Sequence, residues 1–388
     1  MSGDSCIRAD VTTHTVLLQE GRRGLRFADP VRIVAVRRVD EVIPALHAIE
    51  TAVTQHRQYA AGFISYEAAA AYDLAVHEPA PDLPLLWFGL YAQAEPINDW
   101  LSLIDNGSAP DACTVGHWQP AISRADYAGV VHRIKDYLAR GHSYQINYTF
   151  PLQAAFVGEP WALFTHLAAA QQAEYAAFIN TGRFVIGSAS PELFFQLDGD
   201  RLSAKPMKGT ARRGRTLAED EAHIAGLRQS EKNRAENLMI VDMIRNDMGR
   251  VAQIGSVAAP RLFEVERYPT LLQMTSTVTA RTPASVAEIL ARMFPCASIT
   301  GAPKVRTMHI IRELEPQPRG VYTGAIGFIG PDRRARFSVA IRTVLVDRER
   351  RQASYGVGSG LVWDSDTAGE YEECLLKARV RTTSHPLF

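Results

Sequence analysis

Two short turn sequences most strongly limit the folds that are open to this chain. Asn180-Thr181-Gly182 and Asp198-Gly199-Asp200 each separate two runs that are rich in β-branched and aromatic residues. Tight turns of this composition join neighbouring antiparallel strands, whereas parallel strands need a long crossover connection. We therefore predict largely antiparallel sheets rather than a dinucleotide-binding Rossmann fold.

The sequence divides into two regions at a polar, turn-rich segment. Residues 1–115 combine one helical stretch with three extended apolar runs at residues 32–36, 60–66 and 85–91. Residues 105–111 are rich in Asp, Asn, Gly and Pro, which is typical of a connecting loop. Residues 120–388 hold all the motifs described below.

Composition argues against several classes of partner. Lys+Arg and Asp+Glu both number 42, so no overall field would attract nucleic acid or an anionic membrane. The first eleven residues lack the pattern of a secretory leader, and no long uncharged apolar run follows, so we expect a cytoplasmic protein. Its four cysteines have no zinc-site spacing, which argues against a structural zinc or a disulfide framework.

The last predicted helix places two carboxylates and an ammonium group on one face. Glu370, Glu373 and Lys377 are three and four positions apart and therefore project together. A simpler alternative is a capping box of Thr367 and Glu370 followed by a surface pair of Glu373 with Lys377. The preceding Gly-x-Gly-x-Gly run at residues 356–360 lacks the spacing of a dinucleotide fingerprint, but it permits close approach of a ligand.

Two further segments combine helices with polar groups. Glu236 lies among apolar residues of a predicted helix at residues 232–247, where it is either solvated or a ligand directed into a site. If Glu236 faces Glu373, the pair offers the oxygen ligands that Mg²⁺ prefers. Residues 298–304 precede another helix with Pro303 as its predicted first residue, and free N–H groups there suit a carboxylate, although a plain helix cap is the simpler interpretation.

A lysine between proline and glycine residues is the candidate nucleophile. In the segment Pro206-Met207-Lys208-Gly209-Thr210, burial or cationic neighbours such as Lys205 and Arg212 could lower the pKa of Lys208. A lysine with a lowered pKa is a better nucleophile because more of it is the free amine. The alternative is an ordinary exposed lysine in a basic turn.

Taken in order, these segments resemble those of the chorismate-utilising enzymes, over about residues 123–379. The resemblance rests on Pro191-Glu192-Leu193-Phe194, the Lys208 motif, the Glu236 helix ending in Arg245-Asn246-Asp247, the segment from Ile299 to Lys304, Ala340-Ile341-Arg342-Thr343, and the helix with Glu370, Glu373 and Lys377. It implies an α/β (α+β) fold in which two largely antiparallel β-sheets form a sandwich flanked by helices. Residues 1–115 would contribute to the same sandwich, and residues 120–388 would be the chorismate-binding catalytic region.

The resemblance also implies a role for each candidate site residue. Glu236 and Glu373 would bind Mg²⁺, and Glu370 would lie in the metal's surroundings. Lys208 would be the nucleophile, and Glu192 the general acid or base. The substrate would be held by Gln145, Thr300, Gly301, Tyr322, Arg342, Gly358 and Lys377. A forked guanidinium that is always charged suits Arg342 for carboxylate binding.

Two positions discriminate between the reactions of the family. Members that form isochorismate or salicylate have a lysine base where this chain has Gln145, and a glutamine cannot act as that base. Members that form anthranilate have an alanine where Lys208 stands. The resemblance therefore implies the aminodeoxychorismate-forming branch, which leads towards p-aminobenzoate and folate. Anthranilate formation is the alternative, and a non-catalytic scaffold for a glutaminase is a more remote one.

The resemblance further implies a partner that supplies ammonia. No cysteine lies in the Gly-x-Cys-x-Gly setting of a nucleophilic elbow, so we expect a separate glutamine amidotransferase subunit. The chain departs from one family pattern at Gln273, where many relatives carry a histidine. Loss of an acid/base histidine there fits an enzyme that retains the enolpyruvyl group of chorismate.

Overall fold

Two antiparallel β-sheets stack face to face in the computed structural model, which describes residues 11–105, 112–268 and 271–378. In spatial order, the first sheet comprises β17 (Gly301–Ala302), β9 (Gln145–Gly158), β21 (Gln352–Leu361), β20 (Thr343–Asp347), β11 (Phe184–Ser190), β10 (Tyr175–Asn180), β1 (Val16–Glu20), β2 (Arg23–Phe27) and β6 (Glu95–Ile97), with β7 (Cys113–Val115) and β8 (Gln119–Pro120) paired to β9. The second comprises β14 (Met207–Arg212), β16 (Leu271–Arg281), β13 (Arg201–Lys205), β12 (Leu193–Asp198), β19 (Arg334–Val339), β18 (Ala325–Gly330), β4 (Tyr59–Ile64), β5 (Leu86–Tyr91) and β3 (Arg32–Val36), with β15 (Ala258–Arg267) paired to β16.

Helices pack on the outer faces of this sandwich. They are α1 (Val39–His56), α2 (Trp100–Asp105), α3 (Arg124–Ala139), α4 (Pro160–Gln171), α5 (Leu217–Gln229), α6 (Glu231–Gly249), α7 (Val286–Met293), α8 (Lys304–Leu314) and α9 (Thr367–Ala378), with 3₁₀ turns at Tyr66–Tyr72 and Ala297–Ile299. Buried side chains of α3, α4 and α9 join the core of the first sheet, and those of α1, α6 and α7 join the core of the second.

A third apolar layer lies between the two sheets. Val16 and Ile179 of the first sheet share one cluster with Phe63 and Trp87 of the second. A strand that is covered on both faces needs apolar residues at successive positions rather than at alternate ones. This requirement explains the apolar run of β5, in which every residue is buried.

The sequence predicts most of these elements correctly. The turns after Asn180 and Asp198 join β10 to β11 and β12 to β13 as antiparallel hairpins, so the prediction of antiparallel sheets is confirmed. In α3, Ser123 accepts a hydrogen bond from the backbone N–H of Asp126 at 3.1 Å. The helix ends before Gly141, whose φ of 70° is the left-handed conformation that glycine adopts readily.

Two details of the predicted helix starts are wrong. Pro303 precedes α8 in an extended conformation, because residues 301–302 form the strand β17 and the helix begins only at Lys304. Thr367 does not cap α9, because the carboxylate of Asp366 accepts the backbone N–H of Gly369 at 2.7 Å and takes that role. The predicted surface pair of Glu373 with Lys377 is present, with 2.8 Å between the charged atoms.

Strands from the N-terminal part of the chain enter both sheets. β1 pairs with β10 in the first sheet, and β4 pairs with β18 in the second. The predicted boundary at residues 105–111 falls almost entirely outside the described residues, and the division into two regions stays a prediction. Among the described residues, Cys113, Cys296 and Cys374 are free thiols, and no helix is long and apolar enough to span a membrane.

Candidate active site

The site lies where the chain crosses twice between the sheets. The first crossing joins β11 to β12 and contains Glu192, and the second joins β19 to β20 and contains Arg342. Ser190 donates a hydrogen bond to the carbonyl of Val339 at 2.6 Å, and the N–H of Val339 donates to the carbonyl of Glu192 at 3.1 Å. The two crossings are therefore held side by side.

Glu192 is a buried carboxyl group with unused hydrogen-bonding capacity. Its side chain is 3% exposed, and Oε1 has no hydrogen-bond partner among the described residues. Burial raises the pKa of Glu192 to about 7, although a hydrogen bond with Ser298 and the charge of Lys208 oppose the rise. A carboxyl group with a pKa near neutrality can both give and take a proton, as a general acid or base must.

Lys208 reaches from the second sheet to the first. It belongs to β14, whereas Gly360 and Gln145 belong to β21 and β9 of the opposite sheet. If Gly360 carried a Cβ, that atom would lie 2.8 Å from Nζ of Lys208 and 2.5 Å from Nε2 of Gln145. The absence of a side chain at Gly360 thus leaves the space in which the amine and the amide meet.

The Lys208 amine lies among four charged side chains. Burial is the main cause that lowers its pKa, and Lys377 lowers it further, whereas Glu236, Glu192 and Glu373 raise it. A lowered pKa increases the fraction of free amine, which is the nucleophilic form. Lys205, a cationic neighbour expected from the sequence, does not act in this way, because it pairs with Glu266 and Glu174.

Gln145 presents an unpaired amide to this space. It is 1% exposed, and neither Nε2 nor Oε1 has a hydrogen-bond partner among the described residues. A buried polar group without a partner destabilises the fold by about 1–3 kcal/mol. An amide in this state is therefore suited to binding a polar ligand.

The helices α6 and α9 contribute the acidic residues Glu236 and Glu373, whose charges act on Lys208. Glu236 is partly buried and Glu373 is exposed, and Lys377, the partner of Glu373, also donates to the carbonyl of Gly358 at 3.1 Å. Both oxygens of Glu370 accept hydrogen bonds from serine hydroxyls, those of Ser359 and Ser365. Both oxygens of Glu370 are thus used within the protein, so Glu236 and Glu373 are the better candidates for binding a cation.

The fit of these residues to Mg²⁺ follows from their donor chemistry. Within the described ranges, no group of three His, Cys, Asp or Glu residues is arranged as a metal site. Mg²⁺ commonly binds one or two protein carboxylates and completes its shell with water and substrate oxygens. Glu236 and Glu373, which both act on the charge of Lys208, meet that smaller requirement.

Arg342 is a partly buried cation without a counter-charge among the described residues. Its guanidinium donates to Oε1 of Gln171 at 2.8 Å, and no ion pair of Arg342 occurs among the described residues. Burial lowers the pKa of Arg342, because a charge that is partly removed from water is less stable. An anionic ligand would relieve this state with charge-assisted hydrogen bonds.

The other predicted substrate residues fall into two groups. The ring of Tyr322 covers Gly356 so closely that a Cβ there would overlap it, and burial raises the pKa of the phenol. Thr300 and Gly301 instead support β9: the carbonyl of Thr300 accepts the N–H of Asn147 at 2.8 Å, and Gly301 lies against the Gln145 backbone with a φ of +150°. Thr300 and Gly301 therefore position Gln145.

Sequence reasoning missed two residues of this site. Gly360 was noted only as part of a glycine run, although alternation along a strand puts it on the same face as Gly358. Ser298, which hydrogen-bonds Glu192, was noted only as part of the segment before α8. No local pattern identifies Ser298, because its partner is more than a hundred positions away in the chain.

Comparison with known proteins identifies the family. The sequence profile described as chorismate binding enzyme matches residues 13–383. The chain belongs to the chorismate-binding enzyme family. The prediction of family membership is therefore confirmed.

Curated relatives of this chorismate-binding enzyme carry two kinds of name. Aminodeoxychorismate synthase component 1 from Salmonella typhimurium is 41% identical over 272 residues, which are 70% of this chain and 59% of that protein. Aminodeoxychorismate synthase from Streptomyces griseus is 42% identical over 269 residues, 69% of this chain and 37% of that protein. "Anthranilate synthase component 1 3" from Haloarcula marismortui is 39% identical over 280 residues, 71% of this chain and 55% of that protein. The chain thus spans less than two thirds of the length of each of these relatives.

Solved structures share the fold of this chorismate-binding enzyme. Anthranilate synthase component I from Streptococcus pneumoniae TIGR4 has a TM-score of 0.77 at 23% identity, covering 97% of this chain and 94% of that chain. Menaquinone-specific isochorismate synthase from Escherichia coli has a TM-score of 0.75 at 16% identity, covering 97% of this chain and 90% of that chain. The predicted helix-flanked sandwich is confirmed.

Proposed function

We propose that this chain is an aminodeoxychorismate synthase component 1, which converts chorismate and ammonia to 4-amino-4-deoxychorismate. The observation that carries the proposal is that the Lys208 amine meets the unpaired amide of Gln145 at Gly360 and acts on the pKa of the buried Glu192 carboxyl group. Relatives with this name are about 40% identical over about 70% of the chain, which supports the proposal.

In the proposed reaction, Lys208 is the nucleophile. Its free amine forms a C–N bond at ring C2, the double bond shifts, and the C4 hydroxyl leaves as water with a proton from Glu192. Ammonia then forms a C–N bond at C4, the double bond shifts back, and the bond between C2 and Lys208 breaks. The first half releases water and leaves the lysine bonded to C2, and the second half breaks that bond and returns the lysine as a free amine.

Residues on both sheets would hold the substrate during these steps. Arg342, which is partly buried and has no counter-charge among the described residues, would bind a carboxylate. The phenol of Tyr322 and the backbone at Gly358 would contact the enolpyruvyl side. The amide of Gln145 can donate and accept hydrogen bonds but cannot activate water, which favours attack by the lysine and later by ammonia.

We also propose that Glu236 and Glu373 hold Mg²⁺, with Glu370 kept nearby by its two serine partners. When bound, the ion would supply positive charge that binds the ring carboxylate of the substrate. Lys377 keeps Glu373 oriented through their ion pair. The remaining donors would come from water and substrate.

The proposed ammonia source is a separate glutamine amidotransferase subunit, as the name component 1 of the relatives suggests. A cytoplasmic location stays a prediction. The cognate amidotransferase should bind the purified chain in pull-downs and make the reaction glutamine-dependent. Absence of both effects would contradict the partner proposal.

The product decides between the candidate functions. The purified chain is incubated with chorismate, Mg²⁺ and ammonium salt, and products are identified by liquid chromatography with mass detection. We expect aminodeoxychorismate, which an added lyase converts to p-aminobenzoate. Anthranilate would instead support the function named for the Haloarcula relative, and unreacted chorismate would support a scaffold.

The nucleophile has a direct test of its own. Intact mass after incubation with chorismate and Mg²⁺, without ammonia, should show an adduct that Lys208→Ala lacks. An equal adduct on the Lys208→Ala variant would reject Lys208 as the nucleophile.

A further inference from the structure

The strand that carries Lys208 is irregular at that residue. Met207 is opposite Thr275 of β16 and Thr210 is opposite Gln273, so Lys208 and Gly209 together face the single residue Met274. Two residues opposite one form a β-bulge, which re-aims the side chains of the bulged strand. The φ of Gly209 is +93°, a conformation that favours glycine.

The side chain of Gln273 bridges this bulge. Its Nε2 donates to the carbonyl of Gly209 at 2.9 Å, and its Oε1 accepts from the hydroxyl of Thr210 at 3.0 Å. Gln273 is 6% exposed, so water competes little for either bond. Ahead of the bulge, the N–H of Ser276 donates to the carbonyl of Pro206 at 3.0 Å. The backbone is thus held to β16 on both sides of Lys208.

We propose that Gln273 is a positioning residue, which holds the Lys208–Gly209 bulge so that the lysine amine reaches Gln145 and Gly360 on the opposite sheet. The role as a positioning residue for catalysis rests on the proposed function, because it assumes that Lys208 reacts. Gln273 acts on the backbone behind the amine and not on the substrate.

The chemistry of glutamine suits this position. The bridge needs one donor and one acceptor on the same group, and an amide supplies both without ionising. Glutamate would keep the bond from Thr210 but lose the donor to Gly209, and methionine would keep the length of the side chain but lose both bonds. The helix α6 packs against the bulge at Gly209, where a Cβ would lie 3.2 Å from Cβ of Asn233.

The test compares Gln273→Met and Gln273→Glu with the matched control Gln352→Met. Gln352 also pairs through its side-chain amide, with Gln153, but it is eight positions from Gly360 along β21, roughly 26 Å away. Without the bridge, the rate of the Lys208 adduct and kcat should fall at least about tenfold while KM for chorismate changes little. The control should match the wild type.

Hydrogen exchange gives a second measure that does not depend on chorismate. Backbone amides of residues 207–212 should exchange at least about tenfold faster in Gln273→Met, with α5 and α6 unchanged. Thr210→Val, which removes one of the two bonds, should have a smaller effect, and adding it to Gln273→Met should change nothing further.

The outcomes separate the two proposals. Wild-type exchange in both Gln273 variants would overturn the positioning role, as would a raised KM with unchanged kcat, which would mean that Gln273 contacts substrate. If the amides of residues 207–212 exchange faster in the variants but the wild type forms no product from chorismate, the bridge is supported and the proposed function is rejected. If Gln273→Met does not fold, Gln273→Glu provides the same test, because it also loses the donor to the Gly209 carbonyl.

Discussion

The buried carboxyl group of Glu192 should make the first half of the reaction sensitive to pH. With its pKa raised to about 7, Glu192 is protonated below that pH and ionised above it. A general acid must carry its proton when the hydroxyl leaves, so the rate of adduct formation should fall as pH rises through about 7. In Glu192→Gln the rate of adduct formation should be about 10²–10⁴-fold lower, and it should no longer fall as pH rises through about 7. Quenched-flow mass measurements between about pH 6 and pH 8 check this, and a flat wild-type profile would reject the acid role.

The two glutamates at consecutive positions of α9 provide a matched test of the metal proposal. Glu373 acts on the charge of Lys208, whereas Glu372 is exposed and pairs with Arg124. Glu373→Gln should weaken the affinity for Mg²⁺ by about tenfold or more, since an amide oxygen is a poorer ligand than a carboxylate oxygen. Glu372→Gln should leave it unchanged. Equal Mg²⁺ titrations of the two variants, measured by activity and by calorimetry, would remove Glu373 from the site.

At the scale of elements, the absence of a side chain at Gly360 of β21 leaves the space in which Lys208 and Gln145 meet. In Gly360→Ala, the new methyl group would lie between Gln145 and Lys208, at 2.5 Å and 2.8 Å from their nitrogen atoms. We expect kcat to fall by at least about a hundredfold, because a misplacement of about 1 Å can have that effect. The melting temperature should change little, since the φ of Gly360 is not in the left-handed region.

Gly226→Ala is the control for this change. Gly226 lies on the exposed face of α5, and a Cβ there meets nothing within 4 Å. Alanine should raise the free energy of unfolding by about 0.8–1.0 kcal/mol, the difference in helix propensity, with activity unchanged. Full activity of Gly360→Ala in steady-state assays would contradict the position assigned to the reaction centre.

Elements were more predictable from the sequence than the contacts between them. The hairpin turns, the Ser123 cap of α3 and the acidic helix α6 each follow from residues within a few positions of one another. The Lys208 bulge does not, because its register depends on β16, more than sixty positions later. The meeting of Lys208 with Gln145 likewise depends on how two sheets stack, and local periodicity has no information about that.

At the scale of the whole molecule, one buried guanidinium connects segments that carry proposed site residues. Arg319 donates to both oxygens of Glu315, at 2.8 Å and 2.7 Å. It also donates to the carbonyls of Ile299 and Asn147, at 2.9 Å and 2.8 Å. Ile299 adjoins Thr300, Asn147 lies two positions after Gln145, and Arg319 itself precedes Tyr322.

The same connection includes the N-terminal part of the chain. The carboxylate of Glu67 accepts the backbone N–H of Arg319 at 2.7 Å and that of Gly320 at 3.0 Å. Burial raises the pKa of Glu67 to about 7, against the lowering effect of these bonds and of the Arg319 charge. Residues 1–115 therefore help to hold the segment that carries Tyr322, a long-range dependence that no motif in that region indicated.

Removing the Arg319 guanidinium should destabilise the whole molecule. Both side chains of the Glu315–Arg319 pair are 2% exposed, so Arg319→Met leaves Glu315 buried and unpaired. Loss of one partner of a buried ion pair destabilises by about 3–5 kcal/mol, and the urea midpoint should fall accordingly. Arg57→Met, which breaks the exposed pair with Asp332, should leave the midpoint almost unchanged, because water already solvates both charges.

A double substitution distinguishes loss of the pair from loss of packing. In Arg319→Met combined with Glu315→Met, no charge remains unpaired, so the free energy of unfolding should recover part of the loss relative to Arg319→Met alone. The KM for chorismate should be higher than in the wild type in both Arg319→Met and the double variant, because the bonds from Arg319 to the Ile299 and Asn147 carbonyls are lost in each. If the free energies of unfolding lost in Arg319→Met and in Glu315→Met simply add in the double variant, the pair contributes through packing and not through charge.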